Sequence, residues 1–178
     1  MRIISGNYRG KKLQSIEGLS TRPTTDRVKE SLFNLIQFDV VGSKVLDLFS
    51  GSGSLGIECV SRGAKAIDFN DINRDCITVI KKNLEGMKGQ YNVYDIDYLS
   101  LLGVKKNEKY DLIFVDAPYK MDIASELLTH FVELESLVIG GKVIFETDKQ
   151  IEIHNDNFEI IKTKKYGITF ITIMERVK

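Results

Sequence analysis

The chain has 178 residues, 43% of them hydrophobic, with 25 Lys+Arg balanced by 25 Asp+Glu. That length supports one domain with a substantial core, and no run of about 18 uncharged apolar residues exists to span a bilayer. The few apolar residues after Arg2 are too short for a secretory signal, so a cytoplasmic location is expected.

The zero net charge hides an uneven distribution. Residues 1–31 carry Arg2, Arg9, Lys11, Lys12, Arg22, Arg27 and Lys29 against Glu17, Asp26 and Glu30, a local +4, and the rest of the chain carries −4. Residues 1–22 alternate weakly and are expected to form a small β-ribbon or an extended basic arm ahead of a core over 23–178. In the stretch 24–38, Val28, Leu32, Leu35 and Ile36 make a helical stripe, with Thr24 or Thr25 as N-cap behind Pro23. Residues 44–49, "KVLDLF", suit a buried parallel strand, and a helix follows over 54–62 with Gly63 closing it.

Residues 64–71 repeat the strand pattern and 73–86 the helix pattern, with Asn73 as N-cap and Gly86 as stop. Further strands are expected at 89–97 and 109–119 around a helical turn at 99–102, then a helix at 124–136 and a strand at 140–148. This alternation predicts an α/β architecture, an open and mostly parallel sheet of seven strands with helices on both faces. The end differs: "NFEIIKTKK" and "GITFITIMERV" have no helix between them and should form a hairpin that makes one strand antiparallel to the rest. Cys59 and Cys76 sit among apolar residues of helices and read as reduced buried thiols; His130 and His154 have no metal-ligand spacing, and no metal is expected.

Gly51-Ser52-Gly53-Ser54-Leu55-Gly56 fits G-x-G-x-x-G between an expected strand and helix. Glycines there let a ligand lie against backbone N–H groups at a helix N-terminus. Asp71, 20 residues past Gly51, is placed to accept both hydroxyls of a ribose. A dinucleotide and S-adenosylmethionine share these features. Asp47, inside the strand and before the loop, suits the ammonium of S-adenosylmethionine and is awkward beside a pyrophosphate, although it could instead cap the loop's N–H groups. Asp97, at the close of the third strand, could take a hydrogen bond from adenine or be a solvated loop acid.

"LIFVDAPY" carries an apolar strand into Asp116-Ala117-Pro118-Tyr119. Pro118 biases Ala117 toward extended backbone, holding its carbonyl beside the Asp116 carboxylate. Two adjacent acceptors match the protons of an exocyclic –NH₂, and Tyr119 offers a face for a base to stack on. Such an amine is a poor nucleophile until its lone pair is aimed, so positioning and electrostatics would provide most of the acceleration.

Together "VLDLFSGSGSLGIECVSRGA", "VDAPY", "RIISGNYRGKKL" and "TRPTTDRVKESLFN" resemble the RsmD-type methyltransferases, which modify the 2-amino group of a guanine in 16S ribosomal RNA. The resemblance spans nearly the whole chain and implies a Rossmann-like class I methyltransferase fold. It implies that Asp47, Phe49, Gly51, Ser52, Gly53, Asp71, Ile72 and Asp97 hold S-adenosylmethionine, whose product is S-adenosylhomocysteine. Asp116, Ala117, Pro118 and Tyr119 would hold the guanine, and Arg2, Arg9, Lys11, Lys12, Arg22 and Arg27 would meet RNA phosphates. Two departures stand out: Ala117 replaces a first proline, and Asp71 a longer glutamate. The implied partner is 16S rRNA or a 30S assembly intermediate, with the enzyme a monomer and no membrane involved. Transfer to adenine N6 in DNA or RNA, an inactive RNA-binding protein that retains the cofactor, and an NAD-linked oxidoreductase are the competing readings.

Overall fold

The computed structural model describes residues 1–16, 26–118, 121, 123–152 and 155–178. In chain order the elements are α1 (Asp26–Leu35), β1 (Lys44–Asp47), α2 (Ser54–Arg62), β2 (Ala66–Asn70), α3 (Arg74–Leu84), β3 (Tyr91–Tyr94), α4 (Tyr98–Val104), β4 (Tyr110–Val115), α5 (Ala124–Glu133), β5 (Leu137–Thr147), β6 (Phe158–Tyr166) and β7 (Thr169–Arg176). The strands form one seven-stranded sheet in the order β3-β2-β1-β4-β5-β7-β6. The first five run parallel, and β7 alone runs against both of its neighbours.

Period-2 alternation assigns the strand side chains to two cores. Val45, Leu112, Phe114 and Ile144 pack on one face with Leu32, Phe33 and Ile36 from the α1 region, Ile57 of α2 and Ile80 of α3. Leu46, Ile113, Val115, Val143 and Phe145 pack on the other with Leu101 and Leu102 of α4 and Leu127, Leu128 and Phe131 of α5. Strands covered on both faces need uninterrupted apolar runs, which is why "LIF" and "VIF" read as they do.

Local signals set the boundaries. The Asn73 side chain accepts the Asp75 N–H at the start of α3, and Gly63, with φ 92°, closes α2 in the left-handed conformation that glycine adopts without strain. Helix α5 stops before the expected 136 because the chain turns left-handed at Glu135, φ 50°. The proposed N-caps Thr24 and Thr25 of α1 lie outside the described residues, as does His154.

The basic N-terminal segment folds back on itself. Arg2 and Lys12 form an antiparallel bridge, and Ile3 and Leu13 are buried in the core shared with α1, α2 and α3. The ribbon's turn presses on α2: a Cβ at Gly6 would lie 1.9 Å from the Ser61 carbonyl oxygen. Glu58 of α2, wholly buried, accepts the N–H groups of Ile4 and Ser5 at 2.9 and 3.0 Å. Over residues 1–16 the segment is therefore a docked β-ribbon, the first of the two forms its pattern allowed, and residues 17–22 lie outside the described residues.

Candidate active site

The strand order reverses between β1 and β4, and the loops leaving their C-terminal ends flank the crevice where open α/β sheets hold ligands. Past β1, Ser50 donates its hydroxyl to the Asp47 carbonyl at 2.7 Å, and the Gly53 N–H bonds the Ser50 carbonyl at 2.7 Å, closing a tight turn. Gly51 and Gly53 have φ of 54° and 77°. Gly56 serves packing instead, since a Cβ there would lie 2.3 Å from the Phe69 ring, and the glycine lets α2 press onto β2. Among the described residues nothing lies within 4 Å of the position a Gly51 Cβ would take, so none of them covers the loop's outer side there.

Carboxylates hold this loop. Asp47 is buried and accepts the Gly56 N–H at 3.0 Å. Burial pushes its carboxyl up to about 7, against the opposing effect of that hydrogen bond. Asp71 accepts the Gly51 N–H on one oxygen at 2.8 Å and the Asn73 N–H on the other at 2.9 Å, tying the loop to the start of α3. Beside it Ile72 is 71% exposed, an apolar side chain left at the sheet edge. Asp97 caps α4 by accepting the N–H groups of Leu99 and Ser100. Phe49 packs on Tyr98 with ring centroids 5.3 Å apart.

These residues fit an adenosine ligand bearing a positive charge. The open loop begins just past Phe49 and is bonded to Asp71, the neighbour of the exposed Ile72, and each carboxylate keeps more lone pairs than its loop bonds use. The loop-capping role weighed for Asp47 is observed as a hydrogen bond, and one carboxylate has the capacity both to cap the loop and to meet an ammonium.

Beyond β4, Asp116 is half-buried and Ala117 lines a cavity of about 270 Å³ together with Met121, Ile123, Glu146 and Lys149. The Pro118 carbonyl accepts the Met121 N–H at 2.8 Å. Tyr119 lies outside the described residues. Desolvation of the Asp116 carboxyl, then the charges of Glu146 and Asp47, hold it well above the ordinary carboxylate range. Val115 is registered against Phe145, so Asp116, just past the end of β4, lies beside the buried Glu146 of β5. By parity with Val45, Phe114 and Ile144, the acids Asp47, Asp116 and Glu146 all project to the face covered by α1, α2 and α3.

Glu146 does not stand out in the sequence. Its signal is an acid closing the apolar run "KVIFE", legible only once the β4–β5 register is known.

The basic residues separate into two groups. Arg2 pairs with Asp26 at 3.2 Å, and the Lys11 ammonium donates to the carbonyls of Asn83 and Glu85 at 2.8 and 2.6 Å, at the end of α3. Arg9, Lys12 and Arg27 are exposed, and Arg22 lies outside the described residues.

The family model described as Conserved hypothetical protein 95 matches residues 1–175. The Ribosomal RNA small subunit methyltransferase D of Haemophilus influenzae (strain ATCC 51907 / DSM 11121 / KW20 / Rd) is 35% identical over 173 residues, covering 94% of this chain and 90% of that protein. YlbH of Bacillus subtilis (strain 168) is 37% identical over 182 residues, 99% of each chain. The solved structure of yhhF from Escherichia coli matches with a TM-score of 0.87 at 30% identity, covering 99% of this chain and 98% of that one.

Proposed function

The chain belongs to the Conserved hypothetical protein 95 family of RsmD-type methyltransferases, and on that premise we propose that it methylates the exocyclic N2 amine of a guanine in 16S rRNA. The observation that carries this reading is the placement of Asp116-Ala117-Pro118 at the end of β4, directly beside the glycine-loop strand β1. A base docked there meets a carboxylate and a main-chain carbonyl while the ligand on the glycine loop lies alongside.

S-adenosylmethionine, when bound, supplies an electrophilic methyl group on its sulfonium. Asp47 would meet its ammonium with a buried carboxyl that gives up its proton on binding, Asp71 would accept from its ribose hydroxyls, and Ile72, Phe49 and the start of α4 around Asp97 would hold its adenine. Gly51, Ser52 and Gly53 let the backbone approach it closely.

Asp116 and the Ala117 carbonyl accept the two N2–H protons and aim the nitrogen lone pair at the methyl carbon. The amine nitrogen, on taking the methyl group that S-adenosylmethionine would supply with loss of its S–C bond, would become cationic and have to shed a proton. A carboxylate whose pKa is raised is the better acceptor for it, and Asp116 is such a group. Tyr119 stacks on the base. Ala117 keeps the carbonyl that this scheme uses, since the backbone is common to alanine and proline.

Arg2, Arg9, Lys12, Arg22 and Arg27 hold phosphates of the substrate, which supplies affinity and orientation without choosing the nucleotide. The substrate is 16S rRNA, bare or within a 30S assembly intermediate, and the protein acts as a monomer. The experiment is product mapping: incubation of 30S particles lacking the mark with labelled S-adenosylmethionine, followed by nucleoside mass spectrometry. N2-methylguanosine is expected. N6-methyladenosine, or no incorporation into any rRNA preparation, overturns the reading.

A further inference from the structure

The N-terminal ribbon does not stand alone on the surface. The Lys11 ammonium is inserted between the Asn83 and Glu85 carbonyls that end α3, the Tyr8 hydroxyl accepts the Lys88 N–H at 2.6 Å, and the Asn83 side chain pairs with both backbone groups of Gln14. These contacts fasten the ribbon and the last turn of α3 into one body. Arg9, Lys12, Lys81, Lys82 and Lys88 are all exposed on it.

Lysines at the end of a helix ordinarily complement its dipole and its terminal carbonyls. Here Lys11 already serves two of those carbonyls from another element, so Lys81, Lys82 and Lys88 add positive charge beyond what capping needs. The stretch 81–88 carries three lysines against Glu85, and the ribbon stretch 2–12 carries four basic residues with no acid, within a chain of zero net charge. Charge gathered in this way on one body of a neutral protein is the footprint of a polyanion. The same end of α3 borders an open groove of about 560 Å³ beside the edge strand β3, lined by Lys81, Glu85, Tyr91 and Tyr94. Aromatic side chains beside cations are the setting in which unpaired bases stack.

We propose that the ribbon and the C-terminal turn of α3 form one composite platform for the phosphate backbone of the rRNA substrate, with Lys81, Lys82 and Lys88 extending the contact made by Arg9 and Lys12. Lys11 is its rivet and not one of its phosphate ligands. This inference rests on the rRNA reading above.

The test compares the full-length protein with Lys81→Gln/Lys88→Gln, and with Lys106→Gln as a control on an exposed lysine of the α4–β4 loop. Methyl transfer to 30S particles lacking the mark is measured from low to moderate salt, and S-adenosylmethionine affinity is measured separately. For the double variant the KM for particles should rise about fivefold to twentyfold, as for two lost phosphate contacts. Its kcat and S-adenosylmethionine affinity should stay unchanged. The slope of log(kcat/KM) against log[salt] should shrink by about 0.7 to 0.9 per lysine removed, while the control keeps the original slope. A merely structural role would not move that slope. An unchanged KM and slope in the double variant, with the unaltered protein active, overturns the platform alone. Failure of the unaltered protein to methylate any rRNA overturns the rRNA reading, and the platform's occupant with it.

Discussion

Asn83 donates its side-chain amide to the Ser52 carbonyl at 3.0 Å, and the same buried side chain accepts the Gln14 N–H at 2.8 Å. One residue of α3 thus holds the glycine loop and the N-terminal ribbon at fixed positions. Replacing it with leucine strands the Ser52 carbonyl and both Gln14 backbone groups. The expected loss is about 2–3 kcal/mol, from unmade hydrogen bonds at a buried position. Urea denaturation measures it, and titration with S-adenosylmethionine should show weaker binding than in the unaltered protein. Full stability with full affinity would show that the loop and ribbon hold themselves.

The second link between ribbon and core is ionic. Lys29 and Glu58 are both wholly buried, with nitrogen and oxygen 3.3 Å apart, and the Lys29 ammonium also donates to the Arg2 carbonyl at 2.7 Å. Glu58 binds Arg62 as well at 2.8 Å, and that guanidinium lies over the Phe33 ring. Lys29→Met removes one of the two cations that meet the buried Glu58 carboxylate and leaves the Arg2 carbonyl without its donor, with an expected cost of about 3 kcal/mol, the low end for a broken buried pair because Arg62 stays in place. Glu58→Gln should cost less overall, because the amide oxygen still accepts from Ile4 or Ser5. Both variants should expose the ribbon to limited proteolysis near its glycines before the core is cut. Chemical denaturation and a protease time course check the two effects together, and equal protection in all three proteins would contradict the anchoring role.

Asp47 makes stability depend on pH. Its folded-state carboxyl sits at about 7 against an ordinary 3.8. Between those values the folded protein holds a proton that the unfolded chain has released. The linkage relation then makes stability fall as pH rises through that window, by up to about 1.4 kcal/mol per unit for this group, and level off above the folded value. Asp47→Asn should remove this component, giving a flatter profile and greater stability at pH 8. It should also abolish the attraction for the ligand's ammonium. Denaturation between pH 5 and 8 tests the first effect. Calorimetry in buffers of different ionisation enthalpy tests the second, because binding at pH 7 should release protons from the unaltered protein and none from the variant.

Much of the fold is legible in the sequence because its signals are local. Period-2 and period-3.6 patterns, Gly63 after α2, Asn73 before α3 and the helix-free C-terminal hairpin each need only a short window. The glycine motif is readable for the same reason, and Gly56 lying against Phe69 is the close helix–strand contact that its third glycine serves. What is not legible depends on residues distant in sequence. Lys11 looks like another phosphate-binding cation, yet its partners are 72 and 74 positions away. Glu146 becomes noticeable only through the pairing of β4 with β5, and Asn83 only through a helix crossing back to the glycine loop. The acids at 71 and 97 read as ligand groups, and their contacts within the protein, to Gly51 and to the start of α4, are decided by loop geometry that no spacing encodes.

On the proposed function, Asp116 at the end of β4 grips the amine that receives the methyl group. The most direct test is single-turnover methyl transfer by Asp116→Ala to 30S particles lacking the mark, with S-adenosylmethionine binding measured on the same preparation. A rate lowered by about 10²-fold or more is expected, with cofactor affinity preserved. A variant that binds S-adenosylmethionine normally and transfers at the full rate would contradict it.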